Sequence, residues 1–421
     1  MKYSRTQLGS NIAFSSVIDE KFKTSYLTVR LITKLSPELS AQNAMGMGVL
    51  SSSNSEYRTL AEINEKLSSL YGASLTTFAS KRGDVQILGL SSSWITNRYA
   101  IDGENIEGDM LSVIEKCLFS PNAENGEFNA ESFRITKKEI LDRIDAELNN
   151  KRGYALARAL QVAFKGEPAE NSCYGTKEEA EKVTAKSAYS AYRKLLENAQ
   201  AEIYYVAPQE NPEIPEMIKR GFSEVQRNSG SVQFRSVSKA KDSIATESDE
   251  FDVRQCKMVM TFKTTSDDIF ATKILSTIFG ETPFSKLFLN VREKMSLCYY
   301  CACRSLSYKG ALMVDCGVER ENIEKAKNEI LNQLDEIRKG NISDEELSNA
   351  VLYLDNGLSQ VGDTPSSYAS WYFERFCDGN IRTPQEILDE YRKVTKERIT
   401  EASKALTLDS MYIMYNKEDK E

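Results

Sequence analysis

The chain has 421 residues, 54 Lys and Arg against 62 Asp and Glu, a formal net charge of −8 and a pI near 5.2. With 41% hydrophobic and 28% charged residues it reads as a globular chain long enough for two domains, and its acidic balance argues against a nucleic-acid or anionic-membrane binder, which needs a basic patch. It contains no histidine, which excludes Ser–His triads, Cys–His dyads, HExxH-type zinc sites and imidazole acid–base chemistry.

The opening stretch MKYSRTQLGSNIAF has no apolar core of the kind a signal peptide carries. No later run approaches the ~18 apolar residues of a membrane span, so no membrane association and a cytoplasmic location are expected. Gly46 and Gly48 are followed at position 51 by Ser, not a third glycine, and helix or turn packing is the better reading of the pair. Ser51 to Ser55 have no base partner and read as a polar turn. EINEKLSSLYGASLTTF predicts a helix running through a turn into a strand, and DVQILGL a second strand. Glu104-Asn105-Ile106-Glu107 then opens the helical pattern MLSVIEKCLF. After a polar break, FNAESF at Phe128 starts another helix with Asn129 as the N-cap type. Its continuation, KKEILDRIDAEL, sets Glu139, Asp142, Asp145 and Glu147 at helical spacings. The interleaved Lys137, Lys138 and Arg143 make this a solvated, salt-bridged face rather than a pair of acid–base carboxylates.

The second half repeats that order. SKLFLNVREKMSLCYYCAC reads as helix, turn and strand, and ALMVDCGV as the strand that follows. Glu321-Asn322-Ile323-Glu324, 217 residues after its first-half counterpart, opens AKNEILNQLDEI. ISDEEL at Ile342 begins the next helix, with Ser343 as the N-cap type and Glu345 and Glu346 in the first turn. Strand, helix, strand, strand, helix, helix therefore occurs twice, which predicts two tandem copies of one α+β domain, residues 1–226 and 253–421. Each is expected to be a mixed or antiparallel sheet with helices on one face. Residues 227–252, rich in Ser, Lys, Asp and Glu, read as a linker with an edge segment, and the charged tail 416–421 as frayed.

The eight cysteines are scattered and read as free thiols of a reducing cytoplasm. Cys298, Cys301 and Cys303 alone have metal-like spacing. On a regular strand, period-2 alternation sets Cys301 and Cys303 on one face and Cys298 on the other. Three thiolates so divided cannot converge on one zinc, and no metal site is expected.

GETPFSKLFLNVREKMSLCYYCAC, LSSLYGASLTTFASKRGDVQI and NSCYGTKEEAEKVTAKSAYSAYRKLLENAQAEIYYVAP together resemble the insulinase (M16, or pitrilysin-type) metallopeptidase family. The likeness runs from about Tyr26 to the last helix. The GETPFSKLF segment is similar to the family's glycine-containing loop (Gly280, Ser285), helix and Arg-Glu…Leu-x-Tyr motif. The LSSLYGAS segment resembles its helix, Gly-Ala turn and substrate-side edge strand, and the NSCYGT segment its Tyr-Gly-Thr stretch, helix and closing strand. The resemblance implies the M16 peptidase-like, or LuxS/MPP-like metallohydrolase, fold.

Active members of that family carry His-x-x-Glu-His before the first Gly-Ala strand and a Glu ligand further along. Aligning Tyr57 with the tyrosine that often follows the motif sets the histidines near Ala44 and Gly48, the general base near Met47 and the third ligand near Arg143. A methionine takes no proton from water and an arginine repels a metal, so the resemblance implies a member whose zinc site is absent, zinc being expected only in an active partner. In the family, an Arg and a Tyr of the second domain point across a closed chamber toward the zinc site of the opposite half and help hold the substrate carbonyl and the developing oxyanion. The matching residues are Arg292 and Tyr299, a guanidinium and a phenol suited to act as preorganised donors. The plainer alternative pairs Arg292 with Glu293 on a helix surface and makes Tyr299 strand packing. Tyr300, one residue on, alternates to the opposite face.

The resemblance therefore implies a non-catalytic subunit of a metalloendopeptidase that pairs with an active M16 sister, or forms a homodimer, around a peptide or unfolded polypeptide. One group of inactive members is associated with the 5-aminopentanol modification of elongation factor P. The rival is a scaffold or peptide-binding protein of the same fold, holding an extended peptide on an edge strand such as Ala73 to Phe78. A metal-independent hydrolase has no nucleophile–base pair to support it.

Overall fold

The computed structural model describes residues 1–228 and 230–417. Ser229, within the segment read as a linker, and residues 418–421 of the charged tail lie outside the described residues. The chain enters as a hairpin, β1 (Lys2–Gly9) and β2 (Ile12–Ile18), turned at Asn11. Asn11 has a φ of 51°, in the left-handed region that Asn tolerates better than most residues. β3 (Thr24–Lys34) is buried along most of its length, as a central strand covered on both faces must be. α1 (Pro37–Gly48) opens with Pro in its first turn, where no helical N–H is lost. α2 (Leu60–Ser69) begins with a capping box between Thr59 and Glu62.

β4 (Ser74–Arg82) and β5 (Val85–Ile95) form the next hairpin, and α3 (Ile106–Phe119) is capped by the Asn105 side chain. A small hairpin, β6 (Ala123–Glu124) and β7 (Glu127–Phe128), turns on Asn125-Gly126, both with positive φ, the backbone that Asn-Gly favours. α4 (Ala130–Glu147) follows, and the Asn129 side-chain oxygen accepts from the backbone N–H groups of Glu131 and Ser132. Next come α5 (Lys151–Ala163), α6 (Lys177–Lys182), α7 (Ala185–Asn198), β8 (Gln200–Ala207) and α8 (Glu213–Ser223).

The second half runs β9 (Ala245–Phe251), β10 (Cys256–Thr264) and α9 (Ile269–Ser276). Two π-helical stretches, Thr277–Glu281 and Leu287–Lys294, lead into β11 (Cys298–Leu306) and β12 (Ala311–Val318). α10 (Ile323–Arg338) is followed by α11 (Asp344–Ser359), which Ser343 and Glu346 open as a capping box. α12 (Pro365–Cys377), α13 (Pro384–Arg392), α14 (Lys396–Lys404) and β13 (Leu406–Asn416) complete the chain. Among the described residues no helix is long and apolar enough to cross a membrane.

The repeat is visible in the sheets. The first has the order β1-β2-β8-β3-β5-β4, and the second, read from its other edge, β9-β13-β10-β12-β11. β2 pairs with β8 in parallel and β9 with β13 in parallel, whereas every other neighbour is antiparallel. The two sheets thus share one topology, with β1 added to the first. β4 and β11 occupy the same free edge in each.

Two units divide the chain, and each takes in a helix from the other half of the sequence. The first comprises residues 1–146, 171–233 and 362–379, and the second 147–170, 234–361 and 380–421. In the first unit α1, α3 and α7 bury Ala44, Met45, Ile114 and Tyr192 against Leu27, Leu31 and Leu88 of the sheet. On the opposite face α12 lays Phe373 over Arg30 of β3, ring centroid 4.1 Å from the guanidinium, and stacks Tyr372 on Tyr3 of β1. In the second unit Met258, Phe262, Val314 and Cys316 face α9, α10 and α14. Ala155 and Ala159 of α5 meet Val259, Met313 and Tyr412 on the other face.

Candidate functional site

In the first unit α1 and α4 converge on the place where the resemblance sets a zinc site. Ala44 and Gly48 of α1, Glu139 and Arg143 of α4, Phe78 of β4 and Tyr174 line a small cavity of about 70 Å³. α1 lies close to its neighbours because its residues are small: a Cβ at Gly46 would stand 2.6 Å from the Ala188 carbonyl oxygen. Asn43 donates to Gln86 Oε1 at 3.0 Å, and Gln86 Nε2 in turn reaches the carbonyls of Ser40 and Cys173. That network fixes α1 and the Ser172–Tyr174 turn on β5. The Tyr174 hydroxyl donates to the Ala79 carbonyl of β4 at 3.2 Å, and burial pushes its phenol pKa up.

The residues present do not fit a zinc ion. Met47 is 1% exposed and belongs to the core. At Gly48 a Cβ would lie 2.7 Å from the Thr136 methyl carbon, so a histidine there has no room. Arg143 brings a positive charge to the cavity and stacks on Tyr174, 5.3 Å from the ring centroid. Among the described residues no group of three or more His, Cys, Asp and Glu is placed to hold a metal. Of the carboxylates on α4, Asp142 pairs with Lys138 and Asp145 with Lys177 on the exposed face. A more open hollow of about 870 Å³ lies between the starts of α2 and α4, lined by Arg58, Asn122, Phe128 and Glu131. Its hydroxyls are engaged in structure: Thr59 accepts from the Glu62 backbone N–H and Ser132 bonds Ser53.

In the second unit the Arg-Glu…Leu-x-Tyr segment occupies the end of a π-helical stretch and the start of β11. The helix stops at Ser296, whose φ of 49° reverses the chain, and the Leu297 N–H returns to the Val291 carbonyl at 3.1 Å. Arg292 is half exposed. Its guanidinium lies 4.5 Å from the Phe288 ring, and its Nε 3.6 Å from Glu293 Oε1. That exposed ion pair is of a kind worth about 0–1 kcal/mol and does not lock the arginine. Tyr299 is 66% exposed and its hydroxyl makes no hydrogen bond among the described residues.

The placement of Tyr299 follows from a bulge. Cys298 stands opposite Val318 and Tyr300 opposite Gly317, which leaves Tyr299 as an extra residue with no partner on β12. The bulge also corrects the expected disposition of the cysteines. One inserted residue inverts the alternation, so Cys298 joins Cys301 and Cys303 on the helix-covered face instead of pointing away from them. Tyr300 falls on the other face. Its ring lies against Gly317, where a Cβ would come within 2.6 Å, and beneath the guanidinium of Arg152 at 4.3 Å.

Gly280 and Ser285 do not form an open glycine loop. Gly280 is in the last turn of the first π-helical stretch, buried so tightly against β11 that a Cβ would stand 2.7 Å from the Cys303 backbone nitrogen. Ser285 is 1% exposed and donates to the Thr282 carbonyl at 2.6 Å. Both hold the turn that carries the exposed Phe284.

Comparison with known proteins gives a consistent set of likenesses. A family model described as Peptidase M16 inactive domain matches residues 182–354. A curated relative from Bacillus subtilis (strain 168), "Probable inactive metalloprotease YmfF", is 26% identical over 402 residues, covering 94% of this chain and 93% of the relative. Among solved structures, a conserved protein from Enterococcus faecalis V583 matches with a TM-score of 0.92 at 24% identity over 100% of both chains. A peptidase M16 inactive domain from Pseudomonas fluorescens matches at 0.80 and 14% identity, covering 99% of this chain and 98% of the other. A protease from Helicobacter pylori matches at 0.78 and 13%, covering 99% and 100%. At such identities the structural matches speak for the fold alone.

Proposed function

Because this chain belongs to the M16 peptidase family as an inactive member without the inverted zinc motif, we propose that it serves as the non-catalytic subunit of a two-subunit peptidase. An active sister supplies zinc and general base, and this chain supplies the facing wall of the chamber with Arg292 and Tyr299 as donors to a bound peptide. The observation that carries this reading is the presentation of Tyr299. A bulge sets it outward, 66% exposed, its hydroxyl unclaimed by hydrogen bonds among the described residues. A phenol with only a packing role would be turned inward, as Tyr300 is. The half-exposed Arg292, held by a surface ion pair with Glu293 and by the face of the Phe288 ring, has room to turn toward a substrate carbonyl. Eight free thiols fit a reducing, cytoplasmic setting.

A second reading has its own observation. β4 is a sheet edge, paired on one side with β5. An extended peptide adding to that edge would make the protein a peptide-binding scaffold with no part in proteolysis.

Affinity purification of the tagged chain from its native cell separates the two. Recovery of an M16 chain with an intact His-x-x-Glu-His motif, and peptidase activity in the mixed complex that falls when Arg292 or Tyr299 is changed, is the expected result. A chain that purifies without such a partner, or a complex whose turnover ignores both residues, would overturn the proposal.

A further inference from the structure

Cys298, Cys301 and Cys316 share one face of the second unit's sheet. Cys298 stands opposite Val318 and Cys301 opposite Cys316, and residues two apart on β12, with the residues facing them, lie on the same side. The Cys301 thiol interacts with the thiols of both Cys298 and Cys316. Solvent reaches the three unequally: Cys298 is half buried at the start of an edge strand, whereas Cys301 and Cys316 are 5% and 1% exposed. The hydrogen bond with Cys301, and behind it the Arg292 guanidinium, lower the Cys298 pKa against the burial that would raise it. The Cys301 thiol is pushed well up by its two thiol neighbours and by burial. A reachable sulfur prone to the thiolate form, beside a buried sulfur that keeps its proton, is the arrangement of an attacking and a resolving cysteine.

We propose that Cys298 and Cys301 are a peroxide-oxidised thiol pair, a covalent modification site at the bulge of β11. In the first step the Cys298 thiolate sulfur attacks one oxygen of hydrogen peroxide. The O–O bond breaks, an S–O bond forms, and the departing hydroxide takes up the proton that Cys298 released, giving water and a sulfenic acid. In the second step the Cys301 sulfur attacks the Cys298 sulfur. An S–S bond forms, the S–O bond breaks, and the leaving hydroxide takes the Cys301 proton to become a second water. The two thiols together lose two electrons, and the peroxide gains them. The resulting ring encloses Tyr299 and Tyr300, so oxidation fixes the bulge that presents Tyr299. The site does not depend on the chain being a silent peptidase subunit.

The full-length protein, reduced and freed of reductant, is treated with equimolar hydrogen peroxide, quenched with N-ethylmaleimide and mapped by mass spectrometry. Wild type is expected to lose two hydrogens, with a bridge from Cys298 to Cys301 inside the tryptic peptide 295–304, reversed by dithiothreitol. Cys303→Ala should keep the bridge, because Cys303 is in the same peptide but is not a member of the pair. Cys301→Ala should stop at a sulfenic acid on Cys298 that dimedone captures, and Cys298→Ser should give neither product. A readout that needs no substitution is the order of iodoacetamide labelling in native wild type, where Cys298 should react first. A bridge between Cys301 and Cys316 with Cys298 untouched, dimedone on Cys173 no slower than on Cys298, or wild type oxidised past the sulfenic acid without bridging would each overturn the proposal.

Discussion

Thr136 of α4 closes the space beside Gly48 of α1: a Cβ at Gly48 would lie 2.7 Å from the Thr136 methyl carbon. The missing zinc motif is therefore a packed state and not merely a set of absent ligands. Gly to Ala inside a helix ordinarily gains up to about 1 kcal/mol, so the sign of the change tests the contact. Gly48→Ala should instead cost about 1–3 kcal/mol through overpacking. Thr136→Ser removes the methyl and keeps the hydroxyl, which stands 3.4 Å from Ser52 Oγ. Combined with Gly48→Ala it should recover most of the loss in a double-mutant cycle read by urea unfolding. The variant Ala44→His/Met47→Glu/Gly48→His should carry no stoichiometric zinc after mild chelation, as should wild type. Zinc retained by either would contradict the packing account.

In a mixed complex with an active sister, Arg292→Ala or Tyr299→Phe should lower kcat by roughly 10–1000-fold, each change removing one donor to charge that develops in the transition state. Assembly, followed by size-exclusion chromatography, should be unaffected, since both side chains are solvent-facing. Tyr300→Phe is the internal control. The Tyr300 hydroxyl is buried without a hydrogen-bond partner among the described residues, so its removal should leave turnover and stability unchanged. Equal behaviour of the two phenylalanine variants, both fully active, would favour the scaffold reading.

The duplicated topology was legible because its punctuation repeats: the Asn129 and Ser343 side chains accept backbone N–H groups at the starts of α4 and α11, and each ENIE supplies the first residues of a helix, Ile106 of α3 and Ile323 of α10. The exchange of α5 and α12 between the units was not. A helix's apolar stripe says that it covers something, and the stripe of α12 fits a sheet far away in sequence as well as a near one. Cys298 shows a different limit. Period-2 reasoning is local, and one extra residue inverted it; the signal was Gly317, which makes room for the Tyr300 ring and so sets the register on the partner strand. At the lost metal site, Ala44, Gly48 and Arg143 were placed by resemblance, and all three line one cavity. Thr136 was not legible because a threonine on an amphipathic helix carries no mark of what it presses against.

Arg30 offers a test of the exchanged helix. It is 7% exposed on β3, makes no ion pair among the described residues, and its guanidinium lies against the rings of Tyr204 and Phe373. Phe373→Ala should destabilise the first unit by about 3–5 kcal/mol, combining a cavity with loss of the ring that faces the cation. Arg30→Met, which keeps the volume and removes an unpaired buried charge, should be neutral or stabilising. Thermal unfolding of both variants checks the pair, and a large loss from Arg30→Met would mean that the charge itself holds the face together.

Asp409 sets the expected response of the second unit to acid. Its side chain is fully buried on β13, accepts from the Lys241 backbone N–H and Nζ, each at 2.9 Å, and lies 3.4 Å from Lys263 Nζ. Burial alone would raise its pKa, but the hydrogen bonds and charges of the two lysines hold it below the ordinary carboxylate value. The folded chain therefore gives up this proton more readily than the unfolded one. The stabilisation is fully present above the unfolded value of ~3.9 and is lost as pH falls through the lower, folded value. Asp409→Asn should cost about 3–5 kcal/mol at pH 7, because it leaves the two ammonium groups facing a neutral amide in a buried site. The deficit should shrink at the acid end, where the wild-type carboxyl is itself protonated. Urea unfolding of both proteins across the acid range measures this directly, and a deficit of equal size at neutral and acid pH would assign the loss to shape instead of charge.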